Sequence, residues 1–339
     1  MRLCTLLIFI FSCFGVFVFP KETATPRQGE GVYRFLINNG RDPKIHYDEF
    51  IALNKNKLGR NNTLIKGVLY TLPPLEIPDG ESVATPSNSN ADSGKKRKEP
   101  LFGKKYAEYT VNSSRLKGAT FYLVSGHGGP DCGAIGIADG QEIHEDEYAY
   151  DIMLRLARNL MMEGATVHII IQDRQDGIRD DTFLKNNQKE TCMGREIPLN
   201  QKKRLQQRCD VINRLYNNTK DKYRRAIFIH LDSRSTKQQM DVFFYHHEKS
   251  AAGKQLANTM RQTFREHYQN HQPGRGFTGT VSTRDLHVLA NTQPVSLFAE
   301  LGNIRNSFDQ RRFLPSSNRQ ALANWICRGF ITDYKNSKK

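Results

Sequence analysis

From residue 106 onward the sequence predicts a layered α/β domain, and three observations carry that reading. Short apolar runs of strand length alternate with longer stretches whose apolar residues recur at helical spacing. The runs close on glycine or on a single polar residue, as strands do when they deliver a side chain to the open edge of a sheet. Glu145, Asp146 and Glu147 open one helical stretch and Gly164 ends it, matching the polarity of a helix.

The elements follow in order. Met1 to Phe19 places Arg2 ahead of an apolar run that ends before Pro20-Lys21. This is the pattern of an export signal, short for a membrane span. Ile10-Phe11-Ser12-Cys13 faintly resembles a lipoprotein signal, so residues 1–20 are expected to be a signal peptide or a lipoprotein signal, with Cys13 as an anchoring position. Residues 29–73 predict a compact βααβ module. Val32, Phe35, Leu36 and Ile37 form one helical apolar cluster, and Tyr47, Phe50, Ile51 and Leu53 form a second. Residues 74–104 are rich in Pro, Ser, Asn, Asp and Gly and contain Lys95-Lys96-Arg97-Lys98, which predicts a flexible linker with a solvated charge run. The remainder, 105–335, is the expected catalytic domain.

Within it, Thr120 to Ser125 is the first strand, stopping at Gly126-His127-Gly128-Gly129. Glu145 to Glu163 is a helix with Tyr148, Ile152, Leu156 and Leu160 on one stripe and Asp151, Arg155 and Arg158 polar. Thr166 to Ile171 is a second strand. Arg179 to Pro198 is polar and irregular and reads as a surface loop, with a lid as an alternative role. A helix over Gln201 to Tyr216 precedes a third strand, Arg225 to Leu231, carrying His230. Asp241 to Tyr245 is a fourth strand, Ala251 to Phe264 a helix, and Val295 to Leu301 a strand carrying Glu300 near its end. The closing helix follows Pro315, with Leu322, Trp325, Ile326 and Phe330 at i, i+3, i+4 and i+8.

His127, His230 and Glu300 thus share the strand-end edge of the sheet. Two imidazoles and one carboxylate with an open fourth position suit a catalytic zinc ion, and a second carboxylate can serve as general base. Glu142, His144 and Glu145 all lie where the third ligand is needed. His246 and His247 cannot both face one site, because adjacent strand side chains point oppositely. His287 is expected beside the substrate or on the surface.

Composition narrows the partners. The chain has 339 residues and a formal charge of +15, with a mean hydropathy of −0.62. Such a basic, polar chain suits an anionic partner. No nucleic-acid motif is present. Cys132, Cys192, Cys209 and Cys327 contain no CxxC spacing, and a Cys192–Cys209 disulfide and buried free thiols both remain open.

The ordered motifs GHGGPDCGAIG, Glu145 opening a helix, FIHLDS and LHVLANTQPVSLFAELGNIRN, with QDR at 172–174 and RLQQRCDVIN at 204–213 between them, resemble the zinc-dependent N-acetylmuramoyl-L-alanine amidases of the type-3 family. The resemblance covers roughly Tyr106 to Tyr334. It implies an α/β fold with a central twisted, mostly parallel sheet flanked by helices. It also implies one zinc ion per catalytic domain held by His127, Glu145 and His230, with Glu300 as the catalytic base. The reaction implied is cleavage of the amide between the lactyl group of N-acetylmuramic acid and L-alanine. Asp232 stands where the family usually has asparagine, and Ser125 where it commonly has proline. The family's insertion after the second histidine is here only Ser233 to Met240, which implies an uncovered groove needing no activator.

GEGVYRFL, FIALNK and LIKGVLYTLP resemble, in turn, the signatures of a LysM glycan-binding module. Together these imply an exported enzyme of a bacterial periplasm or cell envelope. Its partner would be peptidoglycan, with anionic envelope polymers as further partners and the membrane reached only through an N-terminal anchor. The alternatives are a degenerate amidase that only binds or regulates the wall, and another zinc peptidase of the wall.

Overall fold

The structure, a computed structural model, describes residues 23–39, 41, 43–73, 93–233, 239–272 and 274–338. The expected export signal, most of the linker and the centre of the Ser233–Met240 stretch lie outside the described residues. The chain divides into two compact units, Met1–Pro86 and Ser87–Lys339.

The first unit joins an antiparallel pair, Thr23–Ala24 with Tyr70–Thr71, to helices Val32–Asn38 and Pro43–Asn54. Its first strand therefore precedes the 29–73 span. The core is Val32, Phe35, Leu36, Phe50, Tyr70 and Leu72. Phe35, Phe50 and Tyr70 contact one another with ring centroids 5.7–6.0 Å apart, within the range where aromatic pairs attract. Asn54 crosses from helix to strand, donating to Thr71 O (2.7 Å) and accepting from Thr71 N (2.8 Å). Ile37 and Leu53, assigned to the apolar clusters by spacing, are exposed.

The second unit is built on a six-stranded sheet. In chain order its strands are β1 (Ala119–Ser125), β2 (Thr166–Ile169), β3 (Tyr223–Asp232), β4 (Phe243–His246), β5 (Thr280–Thr283) and β6 (Val295–Asn303). Their spatial order is β5-β4-β6-β3-β1-β2. Strands β2, β1, β3 and β6 are mutually parallel, while β4 and β5 run parallel to each other and antiparallel to β6. Alternation along β1 sends Phe121 and Leu123 to one face and Tyr122 and Val124 to the other. The first face packs on helices Glu145–Met162, Ala251–His271 and Ser316–Asn336, and the second on helix Gln201–Asn218 and the short helix His287–Asn291. Both faces are covered, which is why the strands read as continuous apolar runs.

Two expectations change. Residues 93–104 are not linker. Lys96–Lys98 pairs antiparallel with Glu108–Thr110, and Phe102 is fully buried in the core of this unit. The charge run stays exposed while its backbone is tied into a ribbon. Residues 179–198 are not a loose loop. Leu184, Glu190, Cys192 and Ile197 are buried, and Thr191–Cys192 bridges Ile171–Gln172 and Arg195–Glu196 in a small sheet. Its carbonyls at Arg179 and Asp181 accept from buried arginines, which argues against a freely moving lid. Cys132, Cys192, Cys209 and Cys327 are free thiols.

Candidate metal and catalytic site

The parallel pairing of β1, β3 and β6 fixes where the strand-end residues meet. His230 of β3 stands beside Glu300 of β6, and Ile229 pairs with Ser125, the last residue of β1. Gly126 follows, and its lack of a side chain is required: a Cβ there would lie 2.3 Å from His230 Cε1. His127 comes next with φ +59°, a left-handed conformation that costs a non-glycine residue on the order of 1–2 kcal/mol. The strained carbonyl of His127 accepts from the buried Arg208 guanidinium. Burial lowers the Arg208 pKa to about 10.

Glu145 enters from the first residue of its helix, 4% exposed, where the helix's positive end favours a carboxylate. Ala134 N donates to Oε2 (2.9 Å) and Leu231 N to Oε1 (3.1 Å). His230 Nδ1 lies 2.8 Å from Oε1 and His127 Nε2 lies 3.2 Å from Oε2. One ligand atom from each of the three residues falls within 4.8 Å of the others. Gly133 leaves room for this convergence, since a Cβ there would sit 2.7 Å from His127 Cδ2 and 2.8 Å from Glu145 Oε2. Phe298 stacks on the His230 ring at 4.3 Å between centroids.

The electrostatics follow from burial and pairing. Burial would raise the Glu145 carboxyl, but His127 and His230 outweigh it and hold the group well below the usual range. For His127, burial is outweighed by the Glu145 charge and the Asp131 hydrogen bond, pushing the ring up to about 10. Burial lowers His230. Glu300 is pushed up to about 8 by burial, then by the charges of Glu145 and Asp232. Its Oε2 is buried without a hydrogen-bond partner, so the carboxyl is held close to a histidine-carboxylate cluster with one oxygen uncommitted.

The other residues named from sequence fall elsewhere. Glu142 is exposed, and His144 lies 3.6 Å from it. His246 is buried with Nδ1 on His247 O (2.9 Å), and His287 Nε2 meets Gln206 Oε1 at 2.8 Å. None of these joins the cluster. Three residues went unassigned in the sequence. Asp131 Oδ2 lies 2.8 Å from His127 Nδ1 and orients the ring so that Nε2 faces Glu145. Arg204 pairs with Asp131, while Arg208, one helical turn later, supports His127. The signals were available: an aspartate four residues after the histidine, and two arginines at i and i+4 on one helix face.

The family model described as N-acetylmuramoyl-L-alanine amidase matches residues 122–332, well over half of the chain. Three solved structures are similar to it. AmiC2 of Nostoc punctiforme is 20% identical, with a TM-score of 0.46 over 65% of this chain and 99% of that one. The catalytic domain of CwlV from Bacillus (Paenibacillus) polymyxa var. colistinus is 21% identical, with a TM-score of 0.45 over 64% and 98%. Ami1 from Mycobacterium smegmatis is 16% identical, with a TM-score of 0.46 over 65% and 99%. No curated protein matches by sequence.

Proposed function

The chain belongs to the N-acetylmuramoyl-L-alanine amidase family, and from that premise we propose that it hydrolyses the amide between the lactyl group of N-acetylmuramic acid and L-alanine in peptidoglycan. The observation that carries the reading is the partnerless buried Glu300 carboxyl beside His230, on the strand edge where His127, Glu145 and His230 converge.

Two imidazole nitrogens and a carboxylate oxygen are a donor set that fits zinc, and His127, Glu145 and His230 would hold it. Zinc bound there would supply Lewis acidity, making water a better nucleophile and a carbonyl a better electrophile. Asp131 keeps His127 Nδ1 occupied, leaving Nε2 for the ligand role. Glu300 accepts the proton of the attacking water and returns it to the departing L-alanine nitrogen. A burial-raised carboxyl suits both halves of that transfer, since it gains and gives up a proton near neutrality.

The first unit, with Tyr33, Ile37, Ile65 and Leu69 exposed, is proposed as the wall-binding module. Met1 to Phe19 supports export to the compartment that holds the substrate, and the +15 charge supports attraction to anionic wall polymers. Among the described residues no helix is long and apolar enough to cross a membrane.

The test is mass spectrometry of purified peptidoglycan fragments incubated with the protein, with zinc and with chelator. Glycan freed of peptide, together with stems beginning at L-alanine, is the expected product, lost with chelator and in Glu300→Gln. Cleavage inside the stem would assign a wall peptidase instead. Wall binding with zinc bound and no cleavage would make the chain a degenerate, binding-only amidase.

A further inference from the structure

A second group of acids lies beside the first and takes no part in it. Asp146, Glu147 and Glu190 each place a carboxylate oxygen within 4.8 Å of the others, and they are 2%, 1% and 5% exposed. Burying one carboxylate without a counter-charge is costly, and clustering three compounds the cost. Arg179 offsets part of it, with Nη1 2.8 Å from Glu147 Oε2, but the same nitrogen is 2.9 Å from Asp176 and its charge is shared. Asp146 Oδ2 is buried with no hydrogen-bond partner. Asp173, buried with its own Oδ2 partnerless, is a fourth acid near Glu190.

The three carboxylates are held in place by backbone amides. Glu147 N donates to Asp146 Oδ1 (2.9 Å), Asn187 N to Glu147 Oε1 (2.7 Å) and Gly129 N to Glu190 Oε2 (2.8 Å). Three segments therefore meet here: the start of the helix that carries Glu145, the 187–190 stretch, and the glycine turn after His127. A partnerless buried oxygen and pre-positioned carboxyl groups converging from three segments point to a cation as the ligand.

We propose that Asp146, Glu147 and Glu190 bind a hard divalent cation of the calcium type, at a site separate from His127, Glu145 and His230. The all-oxygen donor set selects calcium, magnesium or manganese over zinc, which favours the nitrogen-containing set next door. The cation neutralises the acids and ties the turn bearing His127 to the helix bearing Glu145.

The experiment uses the full chain, stripped with chelator, reloaded with zinc and dialysed against calcium chloride, with metals counted by plasma mass spectrometry. The expected result is one calcium per chain in addition to zinc, with Glu190→Gln and Asp146→Asn losing calcium and keeping zinc. The thermal midpoint of the wild type should climb with the logarithm of free calcium, and that of Glu190→Gln should not. Manganese chloride, read by electron paramagnetic resonance on zinc-loaded protein, is the second probe. No calcium or manganese beyond the zinc at millimolar concentration overturns the proposal, as does unchanged binding in Glu190→Gln. If a variant fails to fold, the wild-type stoichiometry alone decides. Calcium bound without zinc would leave this site standing and count against the zinc reading.

Discussion

One helix, Glu145–Met162, carries two buried polar clusters of opposite character. At its middle, Asp151 accepts from Arg155 Nε (2.8 Å), Arg319 Nε (2.6 Å) and Arg179 N (2.7 Å). Arg319 is wholly buried and uses all its donors, its remaining groups reaching the carbonyls of Phe313, Leu314, Arg179 and Asp181. At its start, Glu145 touches two histidines, while Asp146 Oδ2 nearby and Glu300 Oε2 across the sheet edge have no partner. The first cluster is satisfied and closes the fold, locking the 179–184 stretch between two helices. The second leaves buried oxygens without partners, as a site that a bound ligand would complete is expected to do. Buried charge alone does not mark a site; partnerless buried carboxyl oxygens clustered beside other ligand atoms are the better signal.

Substitutions can break that contrast. The largest effect is expected for Glu300→Gln, a loss of about 10²–10⁴-fold in kcat/KM, as for removal of a general base. Zinc content and thermal midpoint should hold or rise, since a partnerless carboxylate is removed. A midpoint that collapsed would place Glu300 in the structural class. Asp151→Ala leaves the wholly buried Arg319 without its carboxylate and Arg155 paired with Asp180, and should cost about 3–5 kcal/mol in urea unfolding. Turnover per folded molecule should stay intact, and a specific loss of turnover would erase the distinction. Asp131→Asn weakens the hold on His127 and should lower zinc affinity by about 10–100-fold, read by competition with a chromophoric chelator. An unchanged affinity would show that Arg208 and the glycine turn position the ring unaided.

The smallest effect lies away from both clusters. His267 stacks on Trp325, the one tryptophan of the chain, with centroids 5.1 Å apart. Burial, then Arg328 and His271, lower the His267 pKa to about 4. Between the unfolded value near 6.5 and about 4, only the unfolded chain takes up this proton, so stability falls as pH drops through that window. After discounting for partial exposure the loss is about 1 kcal/mol. It should disappear in His267→Phe when thermal midpoints are compared from pH 7 to pH 4. An identical pH profile in the two proteins would remove His267 from the acid response.

Much of this was legible in the chain. The strand and helix order followed from apolar periodicity, while the four residues His127, Glu145, His230 and Glu300 followed from ordered motifs and the family resemblance they carry. The extents were less legible. β3 and β6 run to Asp232 and Asn303, past the Leu231 and Leu301 expected to end them, because neighbouring strands continue the pairing there. Residues 93–104 read as linker from composition, yet one buried phenylalanine and a backbone ribbon hold them to the core.

The sequence by itself determined the fold class, the strand-end placement of the site and the kind of ligand its side chains suit, since periodicity and residue chemistry are local properties. Only the tertiary structure decided which polar residues are satisfied. Asp146 and Asp151 are both acids on one helix, and nothing in the chain near either one distinguishes them. Arg319, 168 positions away, completes Asp151, and nothing comparable reaches Asp146 Oδ2. Whether a buried charge has a partner is settled by contacts between distant segments, and local sequence does not encode them.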